Sequence, residues 1–345
     1  MTAADVVTLA RTHAGAAVNR TWTLPIAVVC PTGRCNSRCM SCSWWATSGE
    51  GELTAQEFAD LASALRAMGT RLAVFSGGEP LLREDLWTIA RAFRHRGIVL
   101  HLLTSGLALK RDASKVARYF SRVIVSLDGA DAETYRSIRG VDGYAAVAAG
   151  VAALKSTNPG TRITARVTLH RANFRDLIRL VDAALAMGVQ QVSFLAADLG
   201  SGAFGPRNNQ TLAALPLNSD EVREFRGIVE TCIAARAVEF WSGFIAESPE
   251  RLRRLPQYYA AHLGEGPFPA NRCNAPSVSV VVEADGTVRP CFFHEPVGNL
   301  RQHPLEEIVS RDLAAFRAAW RPSSDAICER CVCTLNLGWG TPPWS

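Results

Sequence analysis

The sequence predicts an α/β protein: a partial (β/α)6 TIM-like barrel, followed by a small α+β unit made of a β-hairpin and a helix. Three observations predict it. Six short apolar, β-branched runs alternate with amphipathic helical segments, the pattern of a parallel sheet with crossover helices. The alternation stops near residue 200. A hairpin signal and a dense group of cysteines then occupy the last 80 or so residues.

The elements follow in order. Residues 1–24 read as an N-terminal extension and residues 25–215 as the barrel. Its strands are expected at Ile26–Cys30, Arg71–Phe75, Val99–Thr104, Val123–Ser126, Ile163–Leu169 and Gln191–Ala196. Helical segments lie between them, near 54–68, 83–96, 112–119, 144–156 and 174–187. Thr54 with Glu57 three residues on is a capping-box signal for the first of these. Asp131–Arg136 adds a short helical turn. Ser201–Asn209, rich in Gly and Asn, reads as a loop. Residues 216–265 form a helical connecting segment, with helices near 219–236 and 249–262. Residues 266–345 form the small terminal unit. There, Ser277–Glu283 and Thr287–Phe293 flank Asp285-Gly286, a strong hairpin turn, and a helix follows near 304–319.

Composition excludes several classes. A formal net charge of +5, spread over many helices, is a solvated surface and gives no basic patch for nucleic acid. No apolar run reaches spanning length, so no membrane association is expected. The chain does not open on a charged segment followed by an apolar one, so no export signal is expected and a cytoplasmic location is. Ten cysteines in a reducing compartment point to metal ligation rather than disulfides.

Two cysteine groups carry the chemistry. Cys35, Cys39 and Cys42 lie in one eight-residue run directly after the first strand, where sites in such barrels sit. Three thiolates leave a four-iron cluster one ligand short, since such clusters take four. A zinc site completed by Cys30 is the competing reading, although zinc prefers closed four-ligand sets. The second strand ends in Ser76-Gly77-Gly78-Glu79-Pro80, glycines that let backbone approach a ligand and a carboxylate that can accept from an ammonium. Thr104-Ser105-Gly106 ends the third strand. Ser126 and Asp128 share a face if the fourth strand continues, and could bind a diol. Arg166 stands on the polar side of the fifth strand, where it needs an anionic partner. Near the C-terminus, Cys273 and Cys291 bracket the hairpin, and Cys328 and Cys331 form a CxxC pair with Cys333 close by. Zinc is again the alternative, and Cys333 can replace Cys331. Cys30 and Cys232 read as buried thiols.

The three-cysteine run, the Gly-Gly-Glu-Pro stretch and the segment Val125–Gly129 together resemble the radical S-adenosylmethionine (SAM) enzymes. The resemblance covers residues 25–200, and the terminal cysteines resemble the twitch domain, a shortened SPASM domain, over 270–335. It implies that SAM chelates the open iron and is split reductively to a 5′-deoxyadenosyl radical, with an electron donor such as flavodoxin or ferredoxin. It implies that Gly77, Gly78 and Glu79 hold the SAM amino group, that Thr104 and Ser105 line its pocket, and that Ser126 and Asp128 contact its ribose; the SAM carboxylate is then the favoured partner of Arg166, with a structural salt bridge as the alternative. It implies one auxiliary iron–sulfur cluster, of four irons, on Cys273, Cys291, Cys328 and Cys331. The family often has an aromatic residue just before the third cysteine; here that residue is Ser41, and Trp44 or Trp45 can supply the ring. Asp198 and Glu239 are the candidate bases. The small auxiliary unit resembles that of aminocyclitol dehydrogenases. The expected activity is therefore oxidation of a sugar, aminocyclitol or nucleoside in natural-product (antibiotic) biosynthesis. Redox-neutral change of the same substrates, or maturation of a ribosomal peptide, are the alternatives.

Overall fold

The structure is a computed structural model that describes residues 2–18, 20–205, 213–333 and 335–344. The end of the expected loop over 201–209 lies outside the described residues. Six parallel strands form the barrel wall: β1 (Ile26–Thr32), β2 (Leu72–Gly77), β3 (Val99–Thr104), β4 (Arg122–Ser126), β5 (Arg162–Leu169) and β6 (Gln191–Ala196). Helices α2 (Ala55–Ala67), α3 (Leu86–His95), α4 (Leu109–Tyr119), α5 (Ala132–Arg139), α6 (Tyr144–Thr157) and α7 (Leu177–Met187) connect them, after an N-terminal α1 (Ala3–Ala17). Alternation sorts each strand's side chains. On β5, Ile163, Ala165, Val167 and Leu169 join the core with Leu177, Leu180 and Val181 of α7. Thr164, Arg166 and Thr168 fall on the opposite face, the barrel interior.

The terminal unit is not separated from the barrel as the sequence suggests. Its first strand, β7 (Ser279–Val282), pairs in parallel with β1, and β8 (Thr287–Arg289) and β9 (Gly298–Asn299) extend the sheet in antiparallel fashion. All four β7 residues are buried, the signature of a strand covered on both faces. The β1 edge of an open barrel would otherwise present unpaired backbone, and β7 satisfies it. The hairpin strands are shorter than expected. A helical turn, Ala275–Val278, precedes β7, and β8 stops before Pro290, which has no N–H to donate. The helix expected near 304–319 is divided by a wider turn at Ile308–Asp312.

At the opposite edge, the N–H of Val192 donates to Phe244 at 2.7 Å and the N–H of Ala246 to Val192 at 2.9 Å. The Glu247 carboxylate completes this closure by accepting from Ser193 Oγ at 2.7 Å and the Phe194 N–H at 3.0 Å. Helix α1 covers the barrel floor: Leu9 packs with Ile26, Leu72 and Val278 at the strands' N-terminal ends. The cysteines gather at the other end. Among the described residues, no helix is long and apolar enough to cross a membrane.

Candidate functional site

The three-cysteine loop leaves β1 at Thr32 and is strapped to two neighbours. The Gly78 N–H donates to Thr32 at 2.9 Å and the Glu79 N–H to Arg34 at 2.8 Å. A side chain at Gly78 would lie 2.2 Å from the Arg34 carbonyl oxygen, and Gly77 has φ +99° with Cys30 beside it, so the glycine pair permits this approach. From the other side, the N–H groups of Arg38 and Met40 donate to Arg139 and Ile138 at the end of α5, at 2.8 and 3.0 Å. The expected short turn at 131–136 is thus a full helix whose C-terminus holds the loop.

The thiols sit in a dry setting. Burial pushes Cys39 up to about 12, with Arg139 pulling the other way. Burial likewise raises Cys35, opposed by the backbone N–H groups of Ser37 and Asn36 aimed at its sulfur. Coordination to a metal deprotonates such thiols outright, so desolvated sulfurs backed by N–H donors and a buried arginine suit a metal centre. Among the described residues, the side chains whose three donor atoms converge within 4.8 Å are His294, Asp325 and Cys328. Cys35, Cys39 and Cys42 are not part of that group. Cys30 is fully buried on β1, and burial raises its thiol strongly.

Around this loop the polar residues divide into two sorts. Glu79 is fully buried and accepts from the Leu81 N–H at 3.0 Å, Thr104 Oγ1 at 2.8 Å and the Ser105 N–H at 2.5 Å. Three of its roughly four acceptor positions are thereby used, tying the ends of β2 and β3 together. Ser105 Oγ in turn donates to Asn36 in the cysteine loop at 3.1 Å. Glu79→Gln sets an amide in place of the carboxylate and weakens this cluster. Urea unfolding is expected to show a loss on the order of 2 kcal/mol; an unchanged midpoint contradicts this account of Glu79.

Asp128 is also committed. It pairs with Arg139 at 3.0 Å and accepts from the Thr168 N–H at 2.8 Å. Strand β4 ends at Ser126, so the alternation that would set Asp128 beside it does not reach that far. Asp128 buttresses Arg139, which faces Cys39, a role the sequence reading missed. Ser126 remains half-buried beside its register partner Arg166. Arg166 carries a buried Nε with no hydrogen-bond partner, an arrangement that fits an anionic ligand. Asp198 accepts from Ser201 Oγ at 2.6 Å and lines a cavity of about 90 Å³ with Phe293, Arg330 and Cys331. Glu239 pairs with Arg236, which also holds Asp182 of α7, and the cysteine it acts on is the buried Cys232.

The terminal cysteines assemble as a group. Cys291 and Cys331 each feel Cys273 and Cys333 electrostatically, and Cys328 feels Cys291 and Cys273. Burial pushes Cys291 and Cys328 up to about 11. Asn271 clamps the CxxC turn by donating to the carbonyls of Cys328 and Cys331 at 3.0 and 2.9 Å. Cys333 is exposed as a residue, but its sulfur is desolvated and lies within the field of Arg166 on β5. The two cysteine sites are joined by aromatic packing. Trp44 stacks on Phe292 with centroids 6.3 Å apart, and Phe204 meets Phe292 at 5.4 Å. Trp44 thus faces the hairpin, while the Trp45 indole donates to the Cys42 carbonyl at 2.8 Å. The one legible signal for this wall is that Phe292 and Phe293 directly follow Cys291.

Comparison with known proteins agrees with the site. The Radical SAM superfamily model matches residues 29–194, a span holding the three-cysteine loop and the Gly-Gly-Glu-Pro stretch. The chain belongs to the radical SAM superfamily. A second model, the SPASM iron–sulfur cluster-binding domain, matches residues 273–332, so this radical SAM enzyme uses SAM and four-iron clusters and carries a C-terminal SPASM-type domain. PqqA peptide cyclase of Streptomyces rochei is 29% identical over 297 residues, covering 83% of this chain and 76% of that protein. Fe-coproporphyrin III synthase of Methanosarcina barkeri is 28% identical over 330 residues, covering 89% of this chain and 80% of that protein. Streptococcus suis SuiB bound to precursor peptide SuiA superposes with a TM-score of 0.66 at 14% identity, over 94% of this chain and 74% of that chain.

These relatives correct the expected substrate. Those matching along most of the chain are peptide cyclases and coproporphyrin or heme synthases, and nothing among them points to sugars, aminocyclitols or nucleosides. Oxidation or redox-neutral change of those small molecules falls with the substrate. The expectation rested on the small size of the auxiliary unit. Cysteine number sets how many clusters a unit can hold and carries no information about the substrate.

Proposed function

We propose that this radical SAM enzyme modifies a ribosomal peptide, oxidising or cross-linking its residues. The observation that carries the reading is the near full-length similarity to PqqA peptide cyclases, which reaches 83% of this chain for one and 88% for another. When bound and reduced, the cluster on Cys35, Cys39 and Cys42 would supply the one electron that breaks the sulfonium C–S bond of SAM, giving methionine and a 5′-deoxyadenosyl radical able to take a hydrogen atom from an unactivated C–H bond.

The chain's own residues bind and orient. Cys35, Cys39 and Cys42 hold the cluster, and Arg139, kept in place by Asp128, offsets the negative charge at Cys39. Gly77 and Gly78 bring backbone close to the methionine end of SAM, and the remaining acceptor position of Glu79 faces its ammonium. Arg166 and Ser126 receive the carboxylate and a ribose hydroxyl. Cys273, Cys291, Cys328 and Cys331 hold the auxiliary cluster, with Cys333 as the alternative to Cys331. The wall of Trp44, Phe204 and Phe292 keeps water out of the space between the two sites.

The test is anaerobic incubation of the reconstituted protein with SAM and a reductant, in parallel arms containing peptides encoded beside the gene and iron-coproporphyrin III. A mass change on a peptide, with matching 5′-deoxyadenosine, is the expected result. Turnover confined to the tetrapyrrole arm overturns the reading.

A further inference from the structure

Cys328 differs from its neighbours in the company its sulfur keeps. The Trp320 indole N–H donates to it at 3.3 Å, and Nε2 of His294 lies 3.5 Å away. Trp320 closes the helix Leu313–Ala319, and an indole N–H can only donate. His294 is buried, with its ring against Phe316 at 4.9 Å between centroids. Its Nε2 also stands 3.8 Å from Asp325 Oδ1. With its single proton on Nε2 the neutral imidazole donates to the Cys328 sulfur, the contact within hydrogen-bond reach, and the Asp325 carboxylate favours that tautomer electrostatically. The other auxiliary sulfurs have backbone company. Cys291 receives the N–H groups of Phe293 and His294, Cys273 receives the Ala275 N–H at 3.5 Å, and Cys331 itself donates to the Cys333 carbonyl.

His294, Asp325 and Cys328 converge closely enough to suggest a site for one ion. Asp325, however, is already used: its Oδ1 accepts from the N–H groups of Ile327 and Cys328 at 2.9 Å each, capping the short helix Ala326–Glu329. An ion held there would also remove Cys328 from the cluster. The trio is better explained as a shell of partners around one cluster ligand, with Asp325 orienting both the helix turn that presents Cys328 and the imidazole that meets it.

We propose that Trp320 and His294 are positioning residues that raise the reduction potential of the auxiliary cluster through hydrogen bonds to the Cys328 sulfur. The inference rests on the reading that the terminal cysteines hold that cluster. Reduction adds negative charge, part of which resides on the ligand sulfurs. Donors aimed at a sulfur therefore stabilise the reduced state more than the oxidised one. A raised potential is what a cluster needs in order to accept an electron from a substrate radical. Two side-chain donors in a desolvated pocket, on one ligand, are a means to that end.

The test is an anaerobic redox titration of the holoenzyme followed by electron paramagnetic resonance, taking the signal that added SAM leaves unchanged as the auxiliary cluster. Trp320→Phe keeps the ring and removes the N–H. It is expected to lower that midpoint by about a tenfold change in the oxidised-to-reduced ratio, ~59 mV for one electron, with iron content and the SAM-sensitive midpoint unchanged. His294→Leu is expected to shift it in the same direction. If Trp320→Phe loses iron, His294→Leu carries the test. An unchanged midpoint in whichever variant keeps its iron overturns the proposal, and so does an equal shift at both clusters. A wild-type protein with no SAM-insensitive cluster refutes the cysteine reading itself, an outcome distinct from failure of the tuning.

Discussion

Cys39→Ala is expected to abolish 5′-deoxyadenosine formation, a loss of more than about 10³-fold, as happens when one member of a catalytic unit is removed. Cys39 is the most telling of the three because the structure invests most around it. Burial raises its thiol, Arg139 faces it, and Asp128 holds that arginine at 3.0 Å. Removing the sulfur takes away a cluster ligand and leaves a buried cation facing an empty corner. Iron content should fall, and with it the SAM-sensitive resonance signal. Cys30→Ala is the control. That thiol is more deeply buried, on β1 outside the three-cysteine loop, and the charged groups it feels are Glu283, Asp285 and Arg289 of the hairpin. Its loss is expected to cost about 1 kcal/mol of stability, a methyl-sized cavity, and to leave SAM cleavage intact. Chromatography of the nucleoside product decides both. Substantial cleavage by the Cys39 variant contradicts the assignment of the loop.

Cys291→Ala is expected to separate the two halves of the reaction. The variant should still cleave SAM, because the link between Cys291 and the first loop runs through its neighbour Phe292, which stacks on Trp44. Those rings remain, so the geometry of Cys35, Cys39 and Cys42 is preserved. Modified peptide should be absent, and iron should fall by about four per chain, the content of one cluster. Mass spectrometry of the peptide beside chromatography of the nucleoside reads the uncoupling. Equal product from this variant and the wild type would contradict an electron-accepting role for the auxiliary cluster.

The barrel was legible because its strands are short β-branched runs whose partners come from consecutive units, so local pattern and fold agree. The cysteine loop and the Gly-Gly-Glu-Pro stretch were legible for a similar reason: their spacing within the chain is itself the constraint. What escaped depends on contacts between distant segments. Nothing in Ser279–Val282 says that it pairs with β1 rather than only with its own hairpin. Nothing around Glu79 reveals that Thr104 and Ser105 occupy most of its carboxylate. The role expected of Asp128 assumed a strand that in fact stops at Ser126, and its partner Arg139 lies on the next helix. Glu247 sealing the β6 edge, and Trp320 and His294 meeting at Cys328, are likewise long-range encounters. The substrate was the least legible feature, since the residues that hold iron and SAM are shared by enzymes acting on unlike molecules.

The measurement that bears most directly on the whole account is the mass of a peptide encoded beside the gene, taken after anaerobic turnover with SAM and set against the 5′-deoxyadenosine formed. The account predicts a modified peptide in proportion to the nucleoside, with neither product from Cys39→Ala and the nucleoside alone from Cys291→Ala. Nucleoside made by the wild-type protein while the peptide mass stays unchanged, in the presence of both clusters, would contradict it.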